Sequence, residues 1–371
     1  MTQKEALDIL KSGENVFLTG AAGSGKTFVL NEYIKYLKEH NVDVGITAST
    51  GIAATHMGGV TIHSWTGMGI KNRLTSSDID EIVEKQYLKN RLKNTNVLII
   101  DEVSMLHHFR LDMVDRILRR AKNREDEPFG GIQVVLSGDF FQLPPVSRAE
   151  EERSLFAYHS KAWKEAGFKI SYLHEQYRQE ASDYLRVLNS IRDNNVDSEI
   201  LEILESRFNK KINKDQNYTR LYSHNVDVDT ENQRELGNIS GRFVEYEMKS
   251  RGNRNLVELL KKSCLAPERL LLKEGARVMF VKNNFEEGYV NGTLGVVAKC
   301  TEDSIKVRTL SGNFIDVEEE SWTIEEEGKI KAEIIQYPLR LAWAITVHKS
   351  QGMSLDAAEI DLSNSFESGM G

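Results

Sequence analysis

The clearest chemistry in this chain lies in eight consecutive residues. Gly20-Ala21-Ala22-Gly23-Ser24-Gly25-Lys26-Thr27 fits the pattern GxxxxGK(S/T) at every fixed position. Glycines at that spacing let the backbone curl until successive N–H groups face one anion, and a helix starting there adds the positive end of its dipole. In such a cradle Gly20, Ala22, Gly23, Ser24 and Gly25 line the phosphates of ATP. Lys26 bridges the β and γ phosphates, and the Thr27 hydroxyl ligates Mg²⁺. A second string, Val97-Leu98-Ile99-Ile100-Asp101-Glu102, ends an apolar run in two carboxylates. Asp101 at the edge of a sheet can hold the Mg²⁺ shell, and Glu102 beside it can orient or deprotonate a water. That pairing favours hydrolysis over transfer to a metabolite. A third string, Gly138-Asp139-Phe140-Phe141-Gln142-Leu143-Pro144-Pro145-Val146, follows another apolar run. Gln142 can sense the γ-phosphate through a hydrogen bond without displacing the metal, while Phe141, Pro144 and Val146 offer an apolar wall on which bases can stack.

These groups need elements to carry them. Over the first 150 residues, short β-branched runs alternate with helical stretches, the pattern of a parallel sheet. Asn15–Thr19 reads as the strand before the Gly-rich turn. A helix follows from about Thr27 to His40, with Val29, Leu30, Tyr33, Ile34 and Leu37 at helical spacing. Val44–Ala48, Val97–Ile100 and Gln133–Ser137 are further buried strands. Gly58–Gly69 has no clear period and reads as a loop or small insertion. Ala181–Arg192 and Ser198–Phe208 read as helices, and a strand starts near Arg220. Between Gly275 and Ile335 short alternating strands separated by Gly-containing turns suggest a small barrel. A helix around Leu341–His348 and a strand at Ala358–Leu362 return to the parallel pattern. His107-His108 reads as a solvated helix start. Trp65, Trp163, Trp322 and Trp343 read as core residues, Trp65 being the one to test for base stacking.

At 371 residues the chain is too long for one ordinary core. Its two cysteines, Cys264 and Cys300, cannot build a disulfide framework or a thiolate zinc site. No apolar run is long enough to span a bilayer and no secretion signal opens the chain, so a cytoplasmic location, nucleoid-associated in a prokaryote, is expected. The net charge of −8 argues against a protein that coats nucleic acid electrostatically. Nine acids against three bases between residues 300 and 330 account for −6 of it, which leaves room for a basic groove elsewhere.

Taken in order, the strings resemble those of superfamily-one DNA helicases, and specifically the PIF family, which is related to RecD. The resemblance implies two RecA-like α/β P-loop NTPase domains. The first covers residues 1–175 with a wedge insertion at 55–80. The second covers 176–285 and 335–371, with a Src-homology-like β-barrel inserted at 286–334. It also implies site residues, position by position. Gln3 stands where the family contacts adenine. Thr47-Ala48-Ser49-Thr50-Gly51-Ile52-Ala53-Ala54 and Thr61-Ile62-His63-Ser64-Trp65 are similar to its first DNA-contacting segments, which brings in Thr50, Gly51, Thr61, His63 and Ser64. Gln176-Tyr177-Arg178-Gln179 matches the segment that carries an arginine, here Arg178, to the γ-phosphate. Ala344-Ile345-Thr346-Val347-His348-Lys349-Ser350-Gln351-Gly352 matches the segment that couples DNA and nucleotide. Thr346, His348 and Lys349 then face DNA, and Gln351 and Gly352 face the nucleotide. The residue chemistry agrees: hydroxyls, amides and a few cations hold a strand by its backbone without reading its sequence.

The implied activity is an ATP-dependent helicase that moves 5′-to-3′ on single-stranded DNA as a monomer and opens duplex, forked or G-quadruplex DNA, with no membrane involved. ATP closes the cleft between the domains and hydrolysis opens it. Two other classes compete: a nucleotide-gated single-strand-binding module without unwinding, and a P-loop kinase, which Glu102 and the second-domain segments disfavour. The sequence ends at Gly371, where the family continues into a segment close to Y-V-A-L-S-R with a second arginine for the γ-phosphate. The expectation for these residues alone is slow hydrolysis and a mobile or association-prone second domain, unless the segment is supplied by a longer protein or a separate chain.

Overall fold

The computed structural model describes all residues except 70, 146–154, 175–182, 209, 211–217, 283, 285, 290, 327–328, 352–357, 362 and 364–371. The chain divides into two compact units, Met1–Lys211 and Ile212–Gly371.

The first unit is built on one six-stranded sheet whose pairings are all parallel. Its strands are β1 (Val16–Gly20), β2 (Val44–Ala48), β3 (Val60–Thr61), β4 (Val97–Asp101), β5 (Gln133–Ser137) and β6 (Lys169–Leu173), in the order β3-β2-β4-β5-β1-β6. β1, β4 and β5 are buried at every position, as central strands covered on both faces must be. The helices are α1 (Gln3–Lys11), α2 (Lys26–Glu39), α3 (Gly51–His56), α4 (Ile62–Thr66), α5 (Ser76–Glu84), α6 (Gln86–Asn94), α7 (His108–Lys122), α8 (Lys161–Ala166), α9 (Asp183–Arg192) and α10 (Ser198–Glu205). α2 buries Val29, Leu30, Tyr33, Ile34 and Leu37, the apolar stripe visible in its spacing. One core layer gathers these with Leu10, Leu18, Ile99 and Val135; another gathers Ile62, Trp65, Leu98, Leu111, Ile117 and Leu136.

Two expectations for this unit are corrected. Gly58–Gly69 is not a plain loop: it forms β3 and α4, with Ile62, Trp65 and Met68 buried. The helix is five residues long, too short to show a period, and is defined by its ends. The Thr61 hydroxyl accepts from Ser64 N at its start, and Gly67 takes a left-handed φ of 77° at its end. His107-His108 does begin a helix, but His107, its N-cap, is buried rather than solvated, stacked on Phe109.

The second unit combines parallel and antiparallel sheets. β7 (Thr219–Tyr222) pairs in parallel with β18 (Ala344–Thr346) and β19 (Ala358–Asp361). β8 (Val244–Glu247) pairs with β10 (Arg269–Leu272). β11 (Arg277–Phe280), β12 (Leu294–Thr301), β13 (Ser304–Thr309), β14 (Phe314–Val317) and β17 (Leu339–Leu341) form a five-stranded antiparallel sheet. β9 (Lys249–Gly252), β15 (Glu320–Glu326) and β16 (Lys329–Gln336) form a further one. Gly252, at a φ of 102°, runs so close to β16 that a Cβ would overlap Lys331 O, so the end of β9 requires glycine. α11 (Asn225–Asn238), α12 (Arg254–Ser263) and α13 (Val347–Ser350) complete the unit. The helix expected around Leu341–His348 is therefore mostly strand. Its apolar run is drawn into β17 and β18 by pairing with β11 and β7, and only the last turn is helical. The observed architecture is a parallel α/β sheet flanked by helices, with additional antiparallel sheets in the second unit.

Candidate nucleotide site and nucleic-acid face

The loop 20–27 leaves β1 and enters α2 at the carboxyl edge of the first sheet, where chain direction puts the ends of β4 and β5 as well. Gly23 and Gly25 take φ values of 78° and 87°, which glycine adopts without the Cβ penalty. A Cβ on Gly20 would lie 2.7 Å from Leu173 O and from Ser24 Oγ, and one on Gly25 would overlap the Gln3 amide. The loop is thus a cradle closed to larger side chains. Gln3 opens α1, held by a capping box between Thr2 and Glu5, and its Nε2 donates to Ser24 O at 3.3 Å. Among the described residues Ser24 Oγ is buried without a hydrogen-bond partner, a cost that an incoming acceptor would remove. Lys26 Nζ donates to Gly20 O at 2.8 Å and Ala21 O at 3.2 Å. Burial lowers the Lys26 pKa, while Asp139, then Glu102 and Asp101, favour its charged form. Thr27 is exposed in the first turn of α2, and Ala22 is exposed at the crest of the loop.

Asp101 ends β4 at 8% exposure, and Glu102 follows at a φ of 53°, an uncommon conformation for glutamate and one that clusters at functional sites. Ser49 holds both: its N–H donates to Asp101 O at 3.0 Å and its hydroxyl to Glu102 O at 2.6 Å. Gly138 packs against the turn after Glu102, where a Cβ would lie 3.0 Å from Val103 N. The hard oxygens of Asp101 and Thr27 suit a magnesium ion that takes its other ligands from phosphates and water. With the orphaned Ser24 hydroxyl and the glycine cradle, the donor set fits ATP with Mg²⁺.

After β5 the chain sorts its side chains by turns. Asp139 goes inward, at 2% exposure. Phe140 anchors in an aromatic cluster, 5.1 Å from the Phe17 ring centroid, 5.2 Å from Phe156 and 4.9 Å from Tyr158. Phe141 points out, 70% exposed. Gln142 turns back, its Nε2 donating to Asp139 Oδ2 at 3.4 Å. Pro144 is half-buried. Asp139 also accepts from Phe141 N at 3.1 Å and from Arg192 Nη1 at 2.5 Å. Asp139 and Arg192 are the site residues that motif reading did not single out. Asp139 lies inside a quoted string, whereas Arg192 ends α9 with no signal beyond its place on a helix.

The other expected contacts fall in several places. Thr50 caps α3, accepting from Ala53 N at 3.2 Å, and Gly51 begins that helix with open space where a Cβ would stand. Thr61 caps α4, on which Ser64 is exposed and His63 half-buried. Burial, then Arg110 and His107, push the His63 pKa down to about 4, so at neutral pH it can offer a hydrogen bond but no charge. In the second unit, Thr346 ends β18 at 4% exposure, His348 and Lys349 lie in α13, and Gln351 follows. Val146, Arg178 and Gly352 lie outside the described residues. Trp65 is buried, as a core residue.

A pH effect follows from His63. The unfolded chain binds its proton near pH 6.5 and the folded one only near pH 4. Stability is therefore full above about pH 6.5 and is lost as pH falls toward 4, by roughly 2 kcal/mol between pH 7 and 5, less whatever solvent screens. Urea unfolding of wild type and His63→Gln at both pH values checks this. The same pH dependence in both proteins would contradict it.

Comparison with known proteins agrees with this architecture. The family model for PIF1-like helicase matches residues 2–213, and that for the DNA helicase Pif1 2B domain matches 255–299. The chain is 46% identical to the ATP-dependent DNA helicase Pif1 of Psychrobacter sp. (strain PRwf-1), covering all of this chain and 65% of that protein's length. The crystal structure of Pif1 helicase from Candida albicans superimposes with a TM-score of 0.85 at 34% identity, covering 99% of this chain and 90% of that one. Pif1 helicase from Bacteroides, in complex with ADP-AlF3 and ssDNA, superimposes at 0.75 and 34% identity, covering 99% and 87%. With more than half its length matched by one family model and nearly all of it by these relatives, the chain belongs to the PIF1-like helicase family.

Proposed function

We propose that this chain is the motor of an ATP-dependent DNA helicase that moves 5′-to-3′ on single-stranded DNA and opens duplex, forked or G-quadruplex DNA. It acts as a monomer in the cytoplasm, associated with the nucleoid in a prokaryote. The observation that carries this reading is the convergence of Lys26, Asp101, Glu102 and Gln142 at one sheet edge, with Phe141 exposed on the same loop as Gln142. Lys26 and the loop amides hold the phosphates. Thr27 and Asp101 would hold Mg²⁺, which would supply neutralisation of phosphate charge. Glu102 takes the proton of the attacking water, and Gln142 orients toward the γ-phosphate. Arg178 approaches the same charge, Gln3 contacts the adenine, and Gln351 and Gly352 serve the nucleotide from the second unit. Thr50, Gly51, Thr61, His63, Ser64, Phe141, Pro144 and Val146 in the first unit, and Thr346, His348 and Lys349 in the second, contact the strand. The domain division proposed with this reading is 1–175, then 176–285 with 335–371, and the inserted barrel at 286–334. Phosphate release with and without oligo-dT, followed by unwinding of substrates with 5′ or 3′ tails, tests it. Phosphate release that ignores DNA would refute it, and DNA-stimulated release without strand displacement would leave only a nucleotide-gated binding module.

A further inference from the structure

Asp139 is one of the most buried carboxylates in the first unit and takes donors from three directions: Phe141 N, Gln142 Nε2 and Arg192 Nη1. Arg192 comes from α9, and its Nη2 reaches the Tyr172 hydroxyl on β6 at 3.4 Å. Its guanidinium carbon also lies over the Phe141 ring, 4.5 Å from the centroid. One arginine thus grips the carboxylate that holds Gln142 and covers the aromatic side chain left open to solvent. The planar fork makes both contacts possible at once, which a lysine could not do.

We infer that Arg192 is a positioning residue: by clamping Asp139 while lying on Phe141, it makes the placement of the Gln142 amide depend on what Phe141 contacts. The inference rests on the reading of Gln142 as γ-phosphate sensor and Phe141 as base contact. A base stacking on Phe141 competes with, or sandwiches, the guanidinium. Either event shifts Arg192 and with it the shared Asp139 Oδ2, to which Gln142 is also bonded. Occupancy by DNA is thereby relayed to the nucleotide through four side chains, Phe141, Arg192, Asp139 and Gln142. Arg192 touches neither phosphate nor water in this account, and acts through Asp139.

The test compares Arg192→Gln and Arg192→Lys with Arg186→Gln, which alters only the exposed ion pairs of α9 with Asp183 and Glu199. The readouts are ATP turnover with and without oligo-dT, KM for ATP and melting temperature. Arg192→Gln should lower the stimulation by DNA on the order of tenfold, within the usual range of coupling between sites, with KM unchanged. Arg192→Lys should be intermediate and Arg186→Gln like wild type. Because Arg192→Gln strands a buried carboxylate, the double variant Asp139→Asn/Arg192→Gln separates folding from coupling. It should regain the melting temperature but not the stimulation. Wild-type stimulation in Arg192→Gln, stimulation regained in the double variant, or turnover lost only in proportion to folded protein would each overturn the inference. Wild-type protein with no DNA-stimulated turnover would instead refute the function on which it rests.

Discussion

Glu102→Gln should bind ATP and Mg²⁺ normally and hydrolyse ATP ~10²–10⁴-fold more slowly, the usual cost of losing a general base. The substitution keeps the side chain's size, and the unusual backbone at Glu102 is held by the Ser49 hydroxyl on its carbonyl, a bond the change does not touch. Asp101, the proposed metal-side carboxylate, stays in place at the end of β4. One electrostatic side effect is built in. Glu102 is among the carboxylates that favour the charged form of Lys26, so its neutralisation pushes the Lys26 pKa further in the direction that burial already sets. Single-turnover phosphate release together with nucleotide binding decides the matter. Weak ATP binding with near-normal hydrolysis of whatever is bound would show the roles of Asp101 and Glu102 to be wrongly divided.

Lys26→Ala should remove ATP hydrolysis by a factor on the order of 10²–10³ or more, as loss of one preorganised donor to transition-state charge does. The effect is aggravated by the surroundings. Asp139, Glu102 and Asp101 all interact with this ammonium, and without it three carboxylates lean toward the place where γ-phosphate charge develops. The Gly20 and Ala21 carbonyls lose their donor as well, which loosens the cradle. Single-strand binding without nucleotide should persist, since Thr61 and Ser64, at the start of α4, and Phe141, after β5, stand on other segments. Turnover at the wild-type rate in Lys26→Ala, measured with saturating oligo-dT, would end the assignment of the phosphate site.

How much of this is legible in the sequence depends on how local each signal is. The phosphate loop, the Asp101-Glu102 pair and the Gly138–Val146 string are contiguous, and each follows a strand whose unbroken apolar run shows that both its faces are covered. The strand Val44–Ala48 was legible from its short β-branched run between a helix and a turn, and α2 from the helical spacing of its apolar stripe. Elements too short to repeat a period, such as α4, were not, because caps rather than periodicity define them.

Tertiary structure decided the rest. Leu341–Thr346 has the apolar character of a helix or a strand, and becomes strand because β11 and β7 present open edges to it. β9 has no apolar alternation at all and exists by pairing with residues some 80 positions later, Gly252 against Ala332. Arg192 meets Asp139 from 53 residues away. Apolar period and turn chemistry are written between near neighbours, so the glycine-rich loop and the parallel frame that carries it are legible along the chain. The partner of a strand edge or of a buried carboxylate is chosen by the packing of distant segments. Only the folded chain could therefore show that the loop bearing Gln142 is held by an arginine from α9.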